Sequence, residues 1–303
     1  MKGSVLIAGG SGFIGKALIE ELSKKGYEVK LLGRSISSIQ KIESFVWDPS
    51  KKIIDLKAFE NTDYIINLAG ANVGEGKWTD KRKKELLDSR IQSTSLLINS
   101  IKEKNFPIKK FIQASAIGFY GLSDNDVDFI ETDPPGKDFL AILTEQWEKA
   151  TEELNGTTVP LLKLRIGVVL SNKGGALMAM AKPVKMFAGA SLGNGKQIVP
   201  WIHIDDMVSV FMKGIEEPDF KGTFNAAAPD PVSNKQLTKL IARAIKRPLW
   251  PMGIPGFLLK LILGEQAQIV LKGNKISCKK LIIAGFKFQH PTIEGTMTHL
   301  FTT

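Results

Sequence analysis

Short apolar stretches alternate with longer amphipathic stretches through the first half of the chain. An apolar strand is predicted at residues 2–8, followed by a glycine turn and a helix over about 12–25. Gly26 ends this helix, and a second strand follows at 28–32. This order of strand, glycine turn, helix and strand predicts one βαβ unit.

The same alternation continues to about residue 166. Further strands are predicted at 45–47, 63–68, 110–114 and 161–166, with helices at 80–103 and 139–154. Strands that alternate with helices indicate a parallel sheet covered by helices on both faces. The predicted fold class is therefore α/β, with a Rossmann-type doubly wound parallel sheet.

The pattern changes after Gly167. Glycines interrupt the next segment, and Ser233 or Asn234 caps a helix in the proline-punctuated segment that follows. We expect residues 1–167 to form the Rossmann domain, with residues 201–226 returning to it. Residues 168–200 and 227–303 should form a smaller C-terminal α/β region that holds a substrate.

The turn after the first strand has the spacing of a phosphate-binding loop. It reads Gly9-Gly10-Ser11-Gly12-Phe13-Ile14-Gly15 and opens the first helix. Gly9 permits the tight turn, Gly12 lets the backbone approach a pyrophosphate, and Gly15 lets the helix pack closely on the sheet. The free N–H groups and the dipole of the helix N-terminus would then hold the anion. A dinucleotide site is predicted here.

The residues at the end of the second strand indicate which dinucleotide binds. An NAD site usually has an acidic residue there, whereas this strand ends Leu32-Gly33-Arg34-Ser35. Arg34 can pair with a 2′-phosphate, so we predict NADP(H) as the cofactor.

Composition narrows the class of protein. The formal net charge is +10, but the lysines are scattered and often lie beside acidic residues, so we expect no nucleic-acid partner. No run of 18 apolar residues occurs and no signal peptide is recognisable, which predicts a cytoplasmic protein without membrane association. The single cysteine, Cys278, fits a reducing compartment.

Further motifs accompany the glycine turn. They are Asn67-Leu68-Ala69-Gly70-Ala71, Ser115-Ala116-Ile117-Gly118-Phe119-Tyr120-Gly121, Trp147-Glu148, Arg165-Ile166-Gly167 and Trp201-Ile202-His203-Ile204-Asp205-Asp206. With these motifs, essentially the whole chain resembles the extended and atypical short-chain dehydrogenase/reductases. More narrowly, it resembles the YfcH-like branch, whose members are labelled nucleoside-diphosphate-sugar epimerases and carry a small C-terminal domain.

The resemblance implies further cofactor residues. Leu68 and Ala69 would pass beside the adenosine and the nearer ribose. Arg90 would reach toward the cofactor from the long helix, and Glu85 on the same helix could share this site. Taken alone, Arg90 would be read as an ordinary arginine on a helix surface.

At the nicotinamide end, the resemblance implies Ile166 and Gly167. The catalytic pattern of the family does not carry over to this chain. Active members use a tyrosine four residues before a lysine, and these positions fall on Phe139 and Leu143. Neither side chain can move a proton, so any hydride chemistry needs another acid.

Tyr120 and Ser115 are the candidate catalytic residues that remain. Tyr120 would act as a surrogate acid with Ser115 as its helper, although a tyrosine in such a phrase is more often structural. We expect Asp205 to brace the fold by capping the following helix. The role of His203 is left open, and His290 and His299 are too scattered to predict a metal site.

Two functions follow from these residues. The first is an NADP-dependent oxidoreductase or epimerase that acts on a nucleotide-sugar-like or small carbonyl substrate. The second is a non-catalytic NADPH-binding sensor or partner-binding protein, which the missing tyrosine and lysine favour. By analogy with relatives, the long helices at 80–103 and 139–154 would form a homodimer interface.

Overall fold

A computed structural model describes residues 2–35, 42–122 and 127–302 of the chain. The described strands are β1 (Ser4–Ala8), β2 (Glu28–Gly33), β3 (Glu43–Asp48), β4 (Ile53–Ile54), β5 (Tyr64–Asn67), β6 (Lys110–Ala116), β7 (Asp128–Phe129), β8 (Leu161–Ile166), β9 (Val168–Ser171), β10 (Ile198–Val199), β11 (Trp201–His203), β12 (Gly222–Ala226), β13 (Val232–Ser233) and β14 (Lys275–Ile276). The α-helices are α1 (Phe13–Lys24), α2 (Asp80–Lys104), α3 (Phe139–Ala150), α4 (Gly175–Lys185), α5 (Ile204–Glu216), α6 (Asn234–Ala244), α7 (Gly256–Leu263), α8 (Ala267–Leu271), α9 (Lys279–Ile283) and α10 (Ile293–Thr302).

The main sheet, as described, has eight strands in the order β12-β8-β6-β5-β1-β2-β3-β4. Its neighbours pair in parallel, except for the antiparallel pair of β3 and β4. The strand order reverses between β1 and β5, and this switch point is where doubly wound sheets bind their ligands. The predicted α/β Rossmann-type fold is confirmed.

Both faces of the sheet are buried by helices. Val5 belongs to an apolar layer with Leu18 of α1 and Phe211 of α5. Leu6, its neighbour in β1, points to the opposite layer with Leu97 of α2. Successive residues of a strand face opposite sides, so a central strand covered on both sides is apolar throughout.

The segment that follows the first half returns to the sheet. Strand β12 pairs with β8, and α5 packs beside α1, so residues 201–226 contribute to the main layer structure. A third apolar cluster brings together Leu177 of α4, Leu237 of α6 and Met297 of α10. Where the chain divides into domains stays a prediction.

Local signals placed the helices well. Ser233 caps α6 as predicted, because its side chain accepts a hydrogen bond from Gln236 N at 3.2 Å. The helix predicted to reach residue 154 is α-helical only to Ala150 and continues as a 3-10 turn over Thr151–Leu154. Helices α2 and α3 contact each other within one chain, where the Arg90 guanidinium lies 4.9 Å from the Trp147 ring centre. The predicted homodimer through these helices stays a prediction.

Among the helices of the described ranges, none combines the length and the apolar character that crossing a membrane would require.

Candidate functional site

The glycine turn joins β1 to α1 at the switch point of the sheet. Gly9 has a φ of +81°, and a Cβ built there would lie 2.8 Å from the backbone carbonyl carbon of Leu68. Only a glycine fits both the backbone conformation and this contact. The contact places the turn directly against the chain that leaves β5.

The start of α1 is open. Gly12 is its N-cap residue and gives no side-chain cap, and the first turn of the helix has no acidic residue. A Cβ at Gly12 would meet one atom, the Gly9 carbonyl oxygen, at 3.4 Å. The N–H groups of Phe13, Ile14 and Gly15 therefore start a helix whose positive end faces open space, which fits a pyrophosphate.

Gly15 packs the helix onto the turn. A Cβ there would lie 2.6 Å from Gly10 Cα, which no neighbouring side-chain movement can relieve because the contact is with backbone. The side chains of Phe13 and Ile14 pack against the apolar core beside α5. The three glycines therefore differ: Gly9 and Gly15 are needed for folding, whereas Gly12 leaves space.

Arg34 follows β2 directly and its side chain is exposed. Gly33 precedes it, and a Cβ at Gly33 would lie 2.8 Å from the Ser35 carbonyl oxygen. Since β2 is the neighbour of β1, the arginine stands at the carboxyl edge of the sheet beside the glycine turn. This is where an adenosine ribose would lie in a doubly wound fold.

The chain after β5 is held by buried polar groups. The Asn67 amide donates to Thr94 Oγ1 and to Gln113 Oε1, both at 3.0 Å. Its oxygen accepts from Ala69 N at 3.1 Å, while Leu68 N donates to Ala8 O at 2.8 Å. These bonds fix the backbone of Leu68 and Ala69 beside the turn.

Arg90 lies beneath the same segment. Its Nη1 donates to Ala71 O and to Leu86 O, each at 3.0 Å. A Cβ on Gly70 would meet the guanidinium carbon at 3.0 Å. Burial, followed by the charge of Arg82, lowers the pKa of Arg90 to about 10. Arg90 thus supports the loop after β5 from below. Glu85 is exposed and pairs with Arg82 at 2.8 Å.

The two residues predicted near the nicotinamide end β8. Gly167 N donates to Ala226 O at 3.0 Å, and a Cβ at Gly167 would lie 2.9 Å from Pro200 O. Ile166 pairs with Ala116 on β6. They stand at the same carboxyl edge of the sheet as the glycine turn, because all these strands run in parallel.

The candidate catalytic residues belong to a buried polar group that we call the Arg165 network. Its members are Ser115, Tyr120, Glu148, Arg165 and Asn225. Arg165 binds Glu148 with two hydrogen bonds, Nε to Oε1 at 2.8 Å and Nη2 to Oε2 at 3.0 Å. Ser115 Oγ donates to Glu148 Oε1 at 2.6 Å.

Tyr120 is tied to the other side of this network. Its hydroxyl donates to Asn225 Oδ1 at 2.7 Å and accepts from Arg165 Nη1 at 2.9 Å. Burial raises the pKa of Tyr120, although Arg165 acts in the opposite direction. The phenolic proton is therefore engaged by Asn225. The catalytic roles of Tyr120 and Ser115 stay predictions, and this geometry gives both side chains a bracing role.

Three members of the network, Glu148, Arg165 and Asn225, were not among the site residues predicted from the sequence. Sheet register brings three of the five together: Ser115 pairs with Arg165 across β6 and β8, and Arg165 with Asn225 across β8 and β12. A signal was present, because Trp147-Glu148 and Arg165 belong to the motifs that carry the family resemblance.

Phe139 begins α3 and packs edge-on against Trp78, with ring centres 4.9 Å apart. Leu143, one turn later, is buried. The resemblance assigns these two residues to the positions of the family's tyrosine and lysine, and their side chains contribute packing and no proton donor.

A cavity of about 540 Å³ opens between the carboxyl edge of the sheet and the C-terminal region. Ile117, Gly118 and Leu140 line it from the Rossmann side. The C-terminal side contributes mainly apolar residues, among them Met180, Leu192, Val199, Ile254, Ile269 and Val270. Polar groups in the lining include Gln197, Asn234, Thr238, Lys272 and Asn274. This volume and lining are typical of a small-molecule site.

The three histidines are scattered in the chain but not in the fold, while the absence of a metal site stays a prediction. Folding brings His203, His290, His299 and Asp205 together, with one possible ligand atom of each within 4.8 Å of the others. We call these four residues the histidine cluster. Burial, then His290, lowers the pKa of His203 to about 4. Residues 203, 290 and 299 are too far apart in the chain for spacing to reveal the cluster.

The predicted role of Asp205 as helix cap is also corrected. The cap of α5 is the His203 ring, whose Nδ1 accepts from Asp205 N at 3.0 Å. The bracing carboxylate is that of the next residue: Asp206 accepts from Gln289 N at 2.7 Å and from His290 N at 3.0 Å. It therefore ties α5 to the segment before α10.

Two family models and several known proteins match this chain. The model of the "NAD dependent epimerase/dehydratase family" matches residues 5–140, and a domain of unknown function, DUF1731, matches residues 254–300. The epimerase family protein YfhF of Bacillus subtilis is 34% identical over 298 residues, covering 98% of this chain and 97% of that protein. A chloroplastic homologue of the epimerase family protein SDR39U1 from Arabidopsis thaliana is 33% identical over 300 residues, covering 97% and 85%.

A solved structure matches over the whole chain. The crystal structure of the human epimerase family protein SDR39U1, isoform 2, with NADPH superposes with a TM-score of 0.88 at 28% identity. The match covers 99% of each chain. It therefore includes the sheet, the glycine turn and the C-terminal region alike.

Proposed function

Because the chain belongs to the NAD-dependent epimerase/dehydratase family, within the branch of the epimerase family proteins, we propose that it binds NADP(H) and transfers a hydride to or from a small apolar carbonyl compound. The observation that carries the substrate class is the apolar lining of the 540 Å³ cavity. The cofactor choice is supported by Arg34 and by the NADPH found with human SDR39U1.

The residues of the sheet edge would hold the cofactor. The turn from Gly9 to Gly15 offers free N–H groups and the space above Gly12 to the pyrophosphate. Arg34 would bind the 2′-phosphate, and the backbone of Leu68 and Ala69 would flank the adenosine. Ile166 and Gly167 would lie near the nicotinamide. NADP(H), when bound, supplies or accepts the hydride.

Arg90 is a positioning residue in this proposal. Its hydrogen bond to Ala71 O and its contact under Gly70 hold the loop against which the cofactor would lie. Glu85 is exposed and paired with Arg82, so we assign it to the ionic surface of α2 near this loop.

The cavity favours a small carbonyl compound over a nucleotide sugar. A diphosphate needs several cationic groups or clustered N–H donors, whereas Lys272 is the one ionisable residue in the lining as described. Since Phe139 and Leu143 replace the family's acid and its lysine, another group must deliver the proton to a carbonyl oxygen. We assign this role to the Lys272 ammonium.

The cofactor part is tested by calorimetric titration with NADPH and NADH. Arg34→Ala should weaken NADPH by about 10–150-fold, the equivalent of roughly 1.5–3 kcal/mol, and leave NADH unchanged. Arg243→Ala, an exposed arginine on α6, is the matched control. Equal losses for both nucleotides, or no loss, would contradict the assignment.

A second variant tests the turn. Gly12→Val should abolish binding and leave a folded protein, because Gly12 has a negative φ of −68° and open space around its Cβ position. Retained binding would place the cofactor elsewhere. Unfolding of this variant would contradict the open geometry described for Gly12.

The substrate part is tested by a turnover screen of aliphatic and aromatic carbonyl compounds beside UDP-sugars. Ala179→Trp fills the cavity from α4, and should lower kcat/KM at least tenfold with NADPH affinity unchanged. Lys272→Met should lower kcat by about 10²–10⁴-fold if the ammonium delivers the proton. Preferred turnover of UDP-sugars would contradict the proposed substrate class.

A second candidate is a non-catalytic NADPH-binding protein. It is favoured by the side chains of Phe139 and Leu143 and by the engaged hydroxyl of Tyr120. Tight NADPH binding together with no turnover in the full screen would support this function instead.

A further inference from the structure

The histidine cluster contains all three histidines of the chain. They come from different elements: His203 ends β11, His290 lies in the segment before α10, and His299 belongs to α10. Asp205 adds a carboxylate from the first turn of α5. The cofactor and substrate sites use none of these side chains.

The distances in the cluster are those between ligands of one metal ion. His203 Nε2 lies 3.2 Å from His299 Nδ1, and His290 Nε2 lies 3.6 Å from Asp205 Oδ2. One possible ligand atom from each of the four residues lies within 4.8 Å of the others. Nitrogen and oxygen ligands of tetrahedral Zn²⁺, bound at 2.0–2.2 Å, lie about 3.4 Å from one another.

The backbone around the cluster is held by two carboxylates, a buried one from Asp206 and a half-buried one from Asp230. Asp206 accepts hydrogen bonds from Gln289 N and His290 N, and Asp230 accepts from Ile293 N at 2.8 Å. These bonds fix His290 and the start of α10 against α5. The ligand atoms would therefore converge without ordering a flexible segment, which lowers the cost of binding an ion.

An ion can reach the cluster from solvent. His203, Asp205 and His299 line a cavity of about 770 Å³ beside α1 and α5. His203 is fully buried, while the side chain of Asp205 is 51% exposed and that of His290 is 16% exposed. The cluster is thus buried on the side of His203 and open to solvent on the side of Asp205.

We propose that the histidine cluster binds one divalent transition-metal ion, through His203 Nε2, His299 Nδ1, the His290 ring and the Asp205 carboxylate. Three imidazoles and one carboxylate suit Zn²⁺, Ni²⁺, Co²⁺ and Cu²⁺, whereas Mg²⁺ and Ca²⁺ prefer oxygen ligands alone. The ion would fasten α10 to the start of α5, and thereby join the C-terminal region to the Rossmann sheet.

Metal binding requires that one proton moves and that the imidazole rings rotate. His203 Nδ1 accepts from Asp205 N, so the neutral ring carries its proton on Nε2 and donates it to His299 Nδ1. Two metal–nitrogen bonds replace this hydrogen bond. The His203 ring stays neutral, so its proton moves from Nε2 to Nδ1, which then donates toward Asp205 Oδ2 at 3.6 Å and no longer accepts from Asp205 N. The rings also rotate, because His203 and His290 now stack with centres 3.8 Å apart.

The test uses untagged full-length protein treated with a chelator and then dialysed free of it. Zn²⁺ and Mg²⁺ are titrated by calorimetry, and Co²⁺ is added to record its visible absorption. We expect one equivalent of Zn²⁺, a tetrahedral Co²⁺ spectrum, an increase in Tm with Zn²⁺, and no response to Mg²⁺.

The variants His299→Ala and His290→Asn should each weaken the binding of Zn²⁺. The loss of affinity should be at least the roughly 10–100-fold that follows from losing an outer-shell partner at known metal sites. Asp205→Asn tests the carboxylate, and Glu294→Gln on the exposed side of α10 is the matched control. A Tm measurement in chelator shows that each variant is folded. Absent Zn²⁺ binding, or binding that survives the histidine variants, would overturn the proposal.

Discussion

The Arg165 network and the histidine cluster are two polar groups in the same fold with opposite designs. In the Arg165 network, an ion pair is buried and each partner is hydrogen-bonded twice or more. In the histidine cluster, stacked rings lie between a buried wall and an open cavity. The first group joins three neighbouring strands, and the second joins α5 to the C-terminal helix.

The difference shows what each group is suited to. A buried charge is stable only with its partners in place, so the Arg165 network resists rearrangement and holds Tyr120 and Ser115 in one position. Imidazoles that stack at a cavity can turn and offer nitrogen atoms to a ligand. Ser115 and Tyr120, the predicted catalytic residues, make structural hydrogen bonds in the network, while the three histidines lie together in the fold.

The largest expected effect comes from breaking the ion pair. Arg165→Met should lower the free energy of unfolding by about 3–5 kcal/mol at pH 7, because Glu148 remains buried and charged without its two hydrogen bonds from Arg165, and Lys163 at 3.5 Å is a more distant partner. Urea denaturation measures this loss. The control is Lys149→Met, which removes the exposed pair with Glu145 on the same helix and should cost far less, because solvent screens that pair. Similar costs for both variants would contradict the buried character of the network.

The same variant has a defined pH dependence. Burial alone would raise the pKa of Glu148, but hydrogen bonds and charge from Arg165, with Ser115, outweigh it and lower the pKa below 4.5. The wild type keeps this contribution above that pH and loses it as the pH falls through the depressed value. In the Arg165→Met variant, burial instead raises the pKa of the Glu148 carboxyl. Acidification then protonates this carboxyl, and the cost of burying its charge disappears. The difference in the free energy of unfolding between the wild type and Arg165→Met should therefore shrink from pH 7 to pH 4. A difference that stays constant would contradict this prediction.

A smaller effect is expected when the phenol is removed. Tyr120→Phe should cost about 1–3 kcal/mol, since Asn225 and Arg165 each lose a hydrogen-bond partner in the core. Tyr64→Phe on β5, whose ring lies outside the network, is the control. NADPH affinity should not change. A loss of turnover by about 10²–10⁴-fold, measured on a substrate found in the screen, would instead restore the catalytic prediction for Tyr120.

The smallest effect belongs to the histidine cluster without metal. His299→Ala removes the 3.2 Å contact with His203 and should cost about 0.5–1.5 kcal/mol in the presence of chelator. A cost as large as that of Arg165→Met would contradict the difference between the two groups. Denaturation in chelator measures it.

The fold and the class of cofactor could be predicted from the sequence, whereas the residues that hold the cofactor stay predictions. The glycine spacing, the apolar β1 and the arginine after β2 are local signals, because a turn, a helix start and a strand end involve neighbouring residues. The fold class, the N-cap at Ser233 and the open turn at Gly12 all follow from such short segments.

The rest was decided by tertiary structure. Ser115, Arg165 and Asn225 stand in a row only because β6, β8 and β12 are neighbours in one register, and a shift by one residue would turn them to the other face. His203 meets His290 and His299 only because the Asp206 carboxylate binds the backbone before α10. Local sequence carries the periodicity of one element at a time, whereas these groups form when packing aligns elements that are distant in the chain.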